Sequence, residues 1–268
     1  MPNLKDAEPG NSFLLIGPAG SGKTTQLLTM PGRKLALIFD PNALAALAGK
    51  DIDYELFIPE VVGRTLTPGG KKEVSAAGVQ TSVQVYERFW TFMRNGIVNG
   101  DFDQYDSIML DSLTGLTEVW KEKLVAQLNK PDWELEGREY GLLTREISTA
   151  LRQITALKKN LLVTAHRKSV MDASGMALKS VEPELIGKSR AVVPTHFSNV
   201  FYTVANGNST GVTYKFITRP NAMISEARPC LALAHIPADF DATIKDMSKP
   251  QDYGIGKLIT DIAAQKKG

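Results

Sequence analysis

A glycine-rich segment near the beginning of the chain constrains the fold more than any other feature of the sequence. Gly17–Thr24 (GPAGSGKT) fits the pattern G-x-x-x-x-G-K-[S/T] at every position. The apolar run Ser12–Ile16 before it predicts a buried strand, and Lys23–Met30 after it predicts a helix ended by Pro31 and Gly32. A strand, a loop of this pattern and a helix in succession form the setting in which backbone N–H groups turn inward around a phosphate.

Two side chains at the end of this loop have separate predicted roles. Lys23 is expected to reach the β- and γ-phosphates of ATP, and Thr24 to bind Mg²⁺ through its hydroxyl. Asp111 ends the apolar run Ser107–Leu110, where an acidic residue supports such a metal ion through water. The predicted cofactors are therefore ATP and Mg²⁺, with Thr24 and Asp111 at the metal. The predicted nucleotide-binding residues are Gly17, Pro18, Ala19, Gly20, Ser21, Gly22, Lys23, Thr24 and Thr25.

Strands alternate with helices through the first two-thirds of the chain, a pattern typical of α/β proteins with a parallel sheet and right-handed connections. We predict a central, mostly parallel sheet flanked by helices, which later strands extend with partly antiparallel pairing. The further predicted strands are Leu35–Phe39, Leu56–Val62, Ser107–Leu110, Leu161–Ala165, Met176–Val181, Val200–Val204 and Val212–Ile217. The further predicted helices are Ser82–Val98, Leu116–Leu128 and Tyr140–Leu157.

The composition is that of one globular domain. Of the 268 residues, 43% are hydrophobic and 22% are charged, and the formal net charge is only +2. We predict a single domain over residues 1–268, with a core at about 11–240 and a C-terminal helical tail at 241–268.

Cys230 is the only cysteine, so no intrachain disulfide can form. No stretch approaches the ~18 apolar residues of a membrane span. Because Met1–Glu8 also lacks the basic and apolar character of a signal peptide, a cytoplasmic protein is expected.

Several segments together resemble RecA-like P-loop ATPases, and most closely the phage-encoded ATPases of the single-strand annealing (Sak-type) recombination group. The resemblance covers roughly residues 11–240. The segments are GPAGSGKTT at 17–25, IMLDSLTGL at 108–116, LLVTAHRKSVMD at 161–172, PELIGKSRAVVPTHFSNVFYT at 183–203 and TRPNAMISEARP at 218–229. The first segment is shared by many unrelated NTPases, whereas the order of the last three is much more particular.

The resemblance implies a RecA-like core in which ATP lies across the strand ends, often between the subunits of a ring or filament. In such ATPases a polar residue at the end of the strand after Asp111 senses the γ-phosphate, and here that residue is His166. Basic residues of a late strand pair reach the neighbouring subunit's ATP; Arg219 is the best candidate, with Lys215 and Arg228 behind it. The alternatives from the residues alone are a half-buried histidine that caps a strand end and an isolated surface arginine.

One position departs from the RecA-like pattern. Such enzymes usually carry a glutamate just past the second strand, where it orients the attacking water, and the corresponding residue here is Asn42. An amide can hold a water molecule but cannot accept its proton at neutral pH. Three alternatives follow: Asp40 takes the role, Glu60 reaches the site, or hydrolysis is slow.

Whether the chain forms rings or filaments is also open. About ten residues precede the first strand, so the N-terminal polymerisation segment of filament-forming recombinases is expected to be short or missing.

Basic residues concentrate between Arg152 and Arg190. This stretch holds eight basic and three acidic residues in an otherwise nearly balanced chain. The predicted contacts to single-stranded DNA are Arg167, Lys168, Lys188 and Arg190. Because the stretch has no aromatic residue to stack on bases, binding there should be electrostatic, salt-sensitive and indifferent to base sequence. The alternative is a solvated charged surface, which is the usual role of clustered basic residues.

Together these features predict a phage-type RecA-like ATPase that binds single-stranded DNA in recombination, annealing or repair, in the host cytoplasm. The predicted catalytic residues are Lys23, Asp40, Asp111, His166 and Arg219. The expected partners are single-stranded DNA, further copies of the chain, and phage recombination or replication proteins, with no membrane. The alternative is an ATP-driven motor or loader of the helicase or packaging kind. A small-molecule phosphotransferase is less favoured because no arginine-rich lid is present, and a scaffold with a vestigial nucleotide site is least favoured.

Overall fold

The computed structural model describes residues 10–59, 64–66, 72–74, 81–129, 134–209 and 211–265. The strands are β1 (Ser12–Ile16), β2 (Lys34–Ile38), β3 (Asp53–Leu56), β4 (Arg64–Leu66), β5 (Lys72–Val74), β6 (Ser107–Asp111), β7 (Asn160–Ala165), β8 (Arg167–Met171), β9 (Leu178–Pro183), β10 (Asn199–Asn208), β11 (Gly211–Ile217) and β12 (Asp239–Asp241). The helices are α1 (Asn42–Leu47), α2 (Ser82–Val98), α3 (Leu113–Leu128), α4 (Gly137–Ala156), α5 (Ser189–Val192) and α6 (Gly254–Gln265).

An eight-stranded sheet in the order β12-β11-β10-β1-β7-β6-β2-β3 forms the centre of the molecule. The strands from β10 to β3 run parallel, and β11 and β12 add to the β10 edge in antiparallel orientation. The predicted mostly parallel α/β sheet with later antiparallel strands is therefore confirmed. Because β1, β2, β6 and β7 are parallel, their carboxyl ends meet at one edge of the sheet, which is where open α/β sheets place their ligands.

Alternate residues of β1 point to opposite faces of the sheet and belong to two separate apolar clusters. Leu14 and Ile16 share a cluster with buried residues of α2, α3 and α4. Phe13 and Leu15 share the other with buried residues of α1 and α6. The sheet is thus covered by helices on both faces, the arrangement that parallel sheets require.

The helix predicted over Lys23–Met30 is present, but it is a 3₁₀ helix and covers only Thr24–Thr29. Thr29 Oγ1 donates to the Gln26 carbonyl at 2.7 Å, a local bond that competes with α-helical pairing. Helix α6 also packs tightly here: a Cβ on Gly256 would lie 2.1 Å from the Thr29 carbonyl oxygen. The segment is therefore short, and no long helix dipole begins at the loop.

The strand predicted over Met176–Val181 does not extend the central sheet, contrary to the prediction. It corresponds to β9, which pairs antiparallel with β8 in a separate two-stranded sheet. The sequence RKSVM of β8 contains no apolar run, so sequence patterns do not predict that strand. We call β8, β9 and the turn between them the basic hairpin (Arg167–Pro183), since Arg167, Lys168 and Lys179 are exposed on it.

The strand predicted over Leu56–Val62 is displaced toward the N-terminus. β3 ends at Leu56, and its half-exposed residues pair only with β2 at the edge of the sheet. Pro59 follows soon after and cannot donate to a strand ladder. Glu60 lies outside the described residues, so its suggested reach into the site stays a prediction.

The C-terminal part of the chain returns to the glycine-rich loop. Ile255, Leu258 and Ile262 of α6 are buried in one apolar cluster with Leu27 of the 3₁₀ helix. Residues 242–253, between β12 and α6, therefore pass close to the loop. No helix in the described ranges has the length and apolar character that crossing a membrane requires.

Candidate nucleotide site

A cavity of about 680 Å³ opens at the carboxyl ends of β1, β2, β6 and β7. This volume lies within the ~300–1,000 Å³ that is usual for small-molecule sites. The lining also includes residues of β11 and of the segment between β12 and α6. The predicted site residues that line it are Ala19, Gly20, Ser21, Gly22, Lys23, Thr24, Thr25, Asp40, Asp111 and His166. The fold thus gathers most of the residues identified from the sequence around one space.

Two glycines give the loop its curved shape. Gly20 and Gly22 have φ angles of +73° and +80°, which residues with a side chain rarely adopt. Behind the loop, Ser21 Oγ lies 2.6 Å from Thr203 Oγ1 on β10. A Cβ on Gly17 would lie 1.9 Å from the same threonine oxygen. The loop is therefore held in its curved form both by its own backbone and by β10.

The Lys23 side chain lies across the loop and is only 6% exposed. Its Nζ donates to the carbonyl oxygens of Gly17 at 2.9 Å and Pro18 at 2.7 Å. Burial lowers the pKa of Lys23 to about 8, against the opposing attraction of the Asp111 and Asp40 carboxylates. The side chain is therefore still a cation at neutral pH. It can exchange the two neutral carbonyls for phosphate oxygens, which bind an ammonium group more strongly.

Asp111, at the end of β6, is buried between two hydroxyl groups. Thr24 Oγ1 donates to its Oδ2 at 2.5 Å, and Thr164 Oγ1 on the neighbouring strand β7 donates to its Oδ1. Burial raises the pKa of Asp111, while the two hydroxyl donors and the charge of Lys23 act in the opposite direction. The peptide bond between Asp111 and Ser112 is cis. The two hydroxyl donors hold the carboxylate in one orientation, beside the Thr24 hydroxyl.

The donors at this point suit a magnesium ion. The Thr24 hydroxyl and the Asp111 carboxylate are hard oxygen donors, which Mg²⁺ prefers. Octahedral coordination needs about six oxygens, so phosphate and water must supply most of them. Within the described ranges, no group of three or more His, Cys, Asp or Glu side chains could hold a metal ion by itself. Thr24 and Asp111 therefore fit an ion that binds together with a nucleotide.

Asp40 and His166 meet beside the cavity, although 126 positions separate them in the sequence. His166 Nε2 lies 3.4 Å from Asp40 Oδ2. Asn42 donates to the other carboxylate oxygen, Oδ1, from both its backbone N and its Nδ2, each at 3.0 Å. The His166 backbone N–H donates to Thr114 Oγ1 at 3.0 Å. Asn42 therefore orients Asp40, and Asp40 keeps its second oxygen directed to His166.

Arg219 does not line the cavity of its own chain. Ile217, the last residue of β11, pairs with Tyr202 of β10, which pairs in turn with Ile16 of β1. Because β11 is antiparallel to the other strands, the chain continues from Ile217 to Arg219 away from their carboxyl ends. The Arg219 guanidinium donates to the carbonyl oxygens of Ala234 at 2.8 Å and Ile236 at 3.3 Å. Arg228 also donates to a backbone carbonyl, that of Phe197, at 3.2 Å. A role for Arg219 at the ATP of a neighbouring subunit stays a prediction.

The four predicted DNA contacts differ in their surroundings. Arg167 and Lys168 are exposed on β8, the strand that leads away from the cavity. Lys188 is exposed immediately before α5. Arg190 Nη1 lies 3.1 Å from Glu182 Oε2, which ties α5 to β9. Arg190 is therefore less available to a ligand than the other three basic side chains.

The site also includes residues that were not predicted from the sequence. Thr164 holds Asp111, and Tyr214, Ile244 and Met247 line the cavity. Thr164 is the one polar residue in the apolar run LLVTA. A lone polar residue in a buried strand can be recognised from the sequence, so Thr164 could have been predicted. The other three carry no such signal, because only the fold brings β11 and the segment after β12 to the loop.

One known family matches most of this chain. The sequence model of family AAA_24, described as an AAA domain, matches residues 10–225. No curated protein matches the chain. Among solved structures, the chain is similar to the flagellar accessory protein FlaH from Methanocaldococcus jannaschii, with 12% identity, a TM-score of 0.42 and coverage of 88% of this chain and 87% of that chain. It is also similar to the KaiC-like protein PH0186 from Pyrococcus horikoshii OT3, with 13% identity, a TM-score of 0.44 and the same coverage of both chains, 88% and 87%. Because the family match spans most of its length, the chain belongs to the AAA domain family of P-loop ATPases.

Proposed function

We propose that this protein binds Mg-ATP in the cavity, hydrolyses it, and uses the nucleotide to control single-stranded DNA binding at the basic hairpin. The observation that carries the proposal is the convergence of three phosphate-binding elements at one end of the cavity. They are the curved loop with Gly20 and Gly22, the buried ammonium group of Lys23, and the Thr24–Asp111 pair. A magnesium-bound triphosphate has the charge and the oxygen atoms that match all three.

The loop residues act by exchanging internal bonds for bonds to phosphate. Lys23 leaves the carbonyls of Gly17 and Pro18 and donates to β- and γ-phosphate oxygens. Thr24 would hold Mg²⁺ directly, and Asp111 would hold it through water. When bound, the ion neutralises part of the phosphate charge and so favours transfer of the γ-phosphoryl group.

Asp40 is the residue that we propose in place of the usual glutamate. Asn42 occupies its Oδ1, so Oδ2 is the oxygen left to accept a proton. A water molecule attacks the γ-phosphorus, and the bond to the β–γ bridging oxygen breaks. The bridging oxygen keeps the electron pair and leaves with ADP, while the water proton passes to Asp40. The contact of His166 with this oxygen, at 3.4 Å, supports a role for His166 in sensing the γ-phosphate.

The exposed bases Arg167, Lys168 and Lys188 support binding to the DNA backbone. His166 directly precedes β8, so a change in its position on γ-phosphate binding would be transmitted to the hairpin. The remaining parts of the proposal follow from the sequence resemblance. They are a role in phage-type recombination, annealing or repair in the cytoplasm, and assembly into a ring or filament in which Arg219 reaches a neighbour's ATP.

Steady-state hydrolysis tests the enzymatic part of the proposal. Lys23→Ala should lower the rate by at least about a hundredfold, since it removes a charge that stabilises the transition state. Asp40→Asn should lower kcat by about a hundredfold and leave the Kd for Mg-ATP within about threefold of wild type, because it removes the proton acceptor and not a phosphate ligand. An Asp40→Asn variant with wild-type kcat would exclude Asp40 as the base, and a wild type without hydrolysis would exclude the activity.

DNA binding is tested separately, with a control of equal charge. The double variant Arg167→Ala/Lys168→Ala should weaken single-stranded DNA binding and flatten its salt dependence. The double variant Arg94→Ala/Lys257→Ala removes two exposed bases from other surfaces and should leave binding unchanged. Equal loss in both variants would mean that only the overall charge matters, and the hairpin would lose its proposed role.

A further inference from the structure

The cavity has an apolar side that the chemistry of phosphate and metal does not use. Its lining includes the apolar residues Leu28, Ala43, Ala46, Ile244 and Met247, together with the ring of Tyr214. Apolar surface at a ligand cavity indicates a ligand with an apolar part. A triphosphate alone has none, whereas a nucleobase presents two flat, weakly polar faces.

Tyr214 joins the two sides of the cavity. A Cβ on Gly22 would lie 2.9 Å from Tyr214 Cδ1, so the ring is packed against the phosphate-binding loop itself. The Tyr214 backbone N–H donates to Thr243 Oγ1 at 2.9 Å, and its carbonyl accepts from the Ala242 N–H at 2.8 Å. The ring and the segment that begins at Ala242 are therefore fixed to each other.

Gln26 fixes the same segment to the loop from behind. This residue is buried in the 3₁₀ helix, where its Nε2 donates to the Ala242 carbonyl at 3.2 Å. Its Oε1 accepts from the Ile255 N–H at the start of α6, at 3.1 Å. The segment that carries Ile244 and Met247 is thus anchored at both ends, and the apolar wall is already in place beside the loop.

The polar side chains around the cavity either belong to the phosphate and metal side or have partners within the protein. Ser21, Lys23, Thr24, Thr25, Gln26, Asp40, Asn42, Asp111 and His166 each have a hydrogen-bond or ion-pair partner within the protein. The part of the ligand on the apolar side therefore gains its binding energy mainly from contact with apolar and aromatic surface.

We propose that Tyr214, Ile244 and Met247 form the seat of the nucleobase, which they bind by contact with its faces. This proposal rests on the proposed function, since it assigns the second half of the same ligand. Ile244 and Met247 lie beyond residue 225, where the family match ends. Part of the base-binding wall therefore belongs to this chain's C-terminal segment, whereas Tyr214 lies within the matched family region.

Comparison of ATP with inorganic tripolyphosphate, by isothermal titration in excess Mg²⁺, separates the base seat from the phosphate site. Tyr214→Ala should weaken ATP binding by on the order of tenfold, as expected for loss of an aromatic contact to a base, and leave tripolyphosphate binding unchanged. Tyr214→Phe keeps the ring and should bind ATP within about twofold of wild type.

Met247→Ala is needed as a second variant, because Tyr214 also packs against the loop. Loss of its ring can therefore lower ATP affinity by disturbing the phosphate site. Met247 is 53% exposed, so its truncation should not disturb folding. This variant should weaken ATP binding by about threefold and leave tripolyphosphate binding unchanged. If neither alanine variant weakens ATP binding, or if each weakens ATP and tripolyphosphate equally, the base seat is wrong. If the wild type binds neither compound, it is the nucleotide site itself that fails.

Discussion

Raising the pH above 8 should weaken Mg-ATP binding, because the buried Lys23 then loses its proton. Burial lowers the pKa of Lys23 to about 8, and bound phosphates would raise it again by stabilising the charged form. Binding above pH 8 therefore takes up a proton. With a pKa of about 8, the protonated fraction falls from about nine-tenths at pH 7 to about one-tenth at pH 9. The affinity should accordingly fall about tenfold over this interval.

Titration calorimetry at pH 7, 8 and 9, in two buffers that differ in ionisation enthalpy, measures both the Kd and the proton uptake. Lys23→Arg is the matched control, since arginine remains charged throughout this range. Its affinity should be lower than that of the wild type but independent of pH. A wild-type Kd that is constant from pH 7 to pH 9, with no proton uptake, would refute the assignment of Lys23 as the phosphate-binding cation.

The same shift predicts how stability depends on pH. The pKa of Lys23 is about 8 in the folded chain and 10.5 for an ordinary lysine, so the unfolded chain binds more protons between these values. The contribution of Lys23 to the free energy of unfolding should therefore rise with pH through this window, by at most about 3 kcal/mol. Denaturant unfolding of wild type and Lys23→Arg at pH 8 and pH 10 measures the difference, and a smaller rise for wild type than for the arginine variant would contradict it.

Three further predictions concern the metal site, the residue that accepts the proton of the attacking water, and the hydrophobic core. Thr164→Val keeps the side-chain shape but removes a hydrogen-bond donor to Asp111. It should therefore raise the Mg²⁺ concentration needed for ATP binding by about tenfold, and leave metal-free ATP binding unchanged. Mg²⁺ titration measures this concentration. Asn42→Glu, combined with Asp40→Asn, restores a carboxylate near the attacking water and should raise kcat at least about tenfold above that of Asp40→Asn alone. An unchanged kcat would argue against a role for position 42 in water activation. Phe89→Ala should lower the free energy of unfolding by about 3–5 kcal/mol in urea denaturation, because this buried ring packs among four other aromatic rings.

The central sheet and the phosphate loop were accessible to sequence reasoning because each has a local signal. Apolar runs such as Ser107–Leu110 identify buried parallel strands whatever their neighbours are. The loop pattern fixes residue types at fixed spacing, and Asp111 is placed by the strand that it ends. Asp40 and His166 were identified because each ends an apolar run, and the parallel sheet brings them together.

Features that depend on long-range contacts were not accessible in this way. The 3₁₀ form of Thr24–Thr29 reflects local hydroxyl bonds and the approach of α6, which lies over 220 residues away. The partial neutralisation of Arg190 depends on Glu182, and the carbonyl contacts of Arg219 depend on the chain near Ile236. Tyr214 reaches the loop only because β11 folds back antiparallel on β10. None of these contacts leaves a pattern in the local sequence.

Titration calorimetry of wild type and Lys23→Ala, side by side, tests whether the glycine-rich loop binds Mg-ATP. We expect one site per chain in the wild type and a loss of affinity on the order of a hundredfold in the variant, because a charge-assisted phosphate bond is removed. Equal affinities for the two proteins would contradict it, since the triphosphate would then be bound somewhere other than the loop.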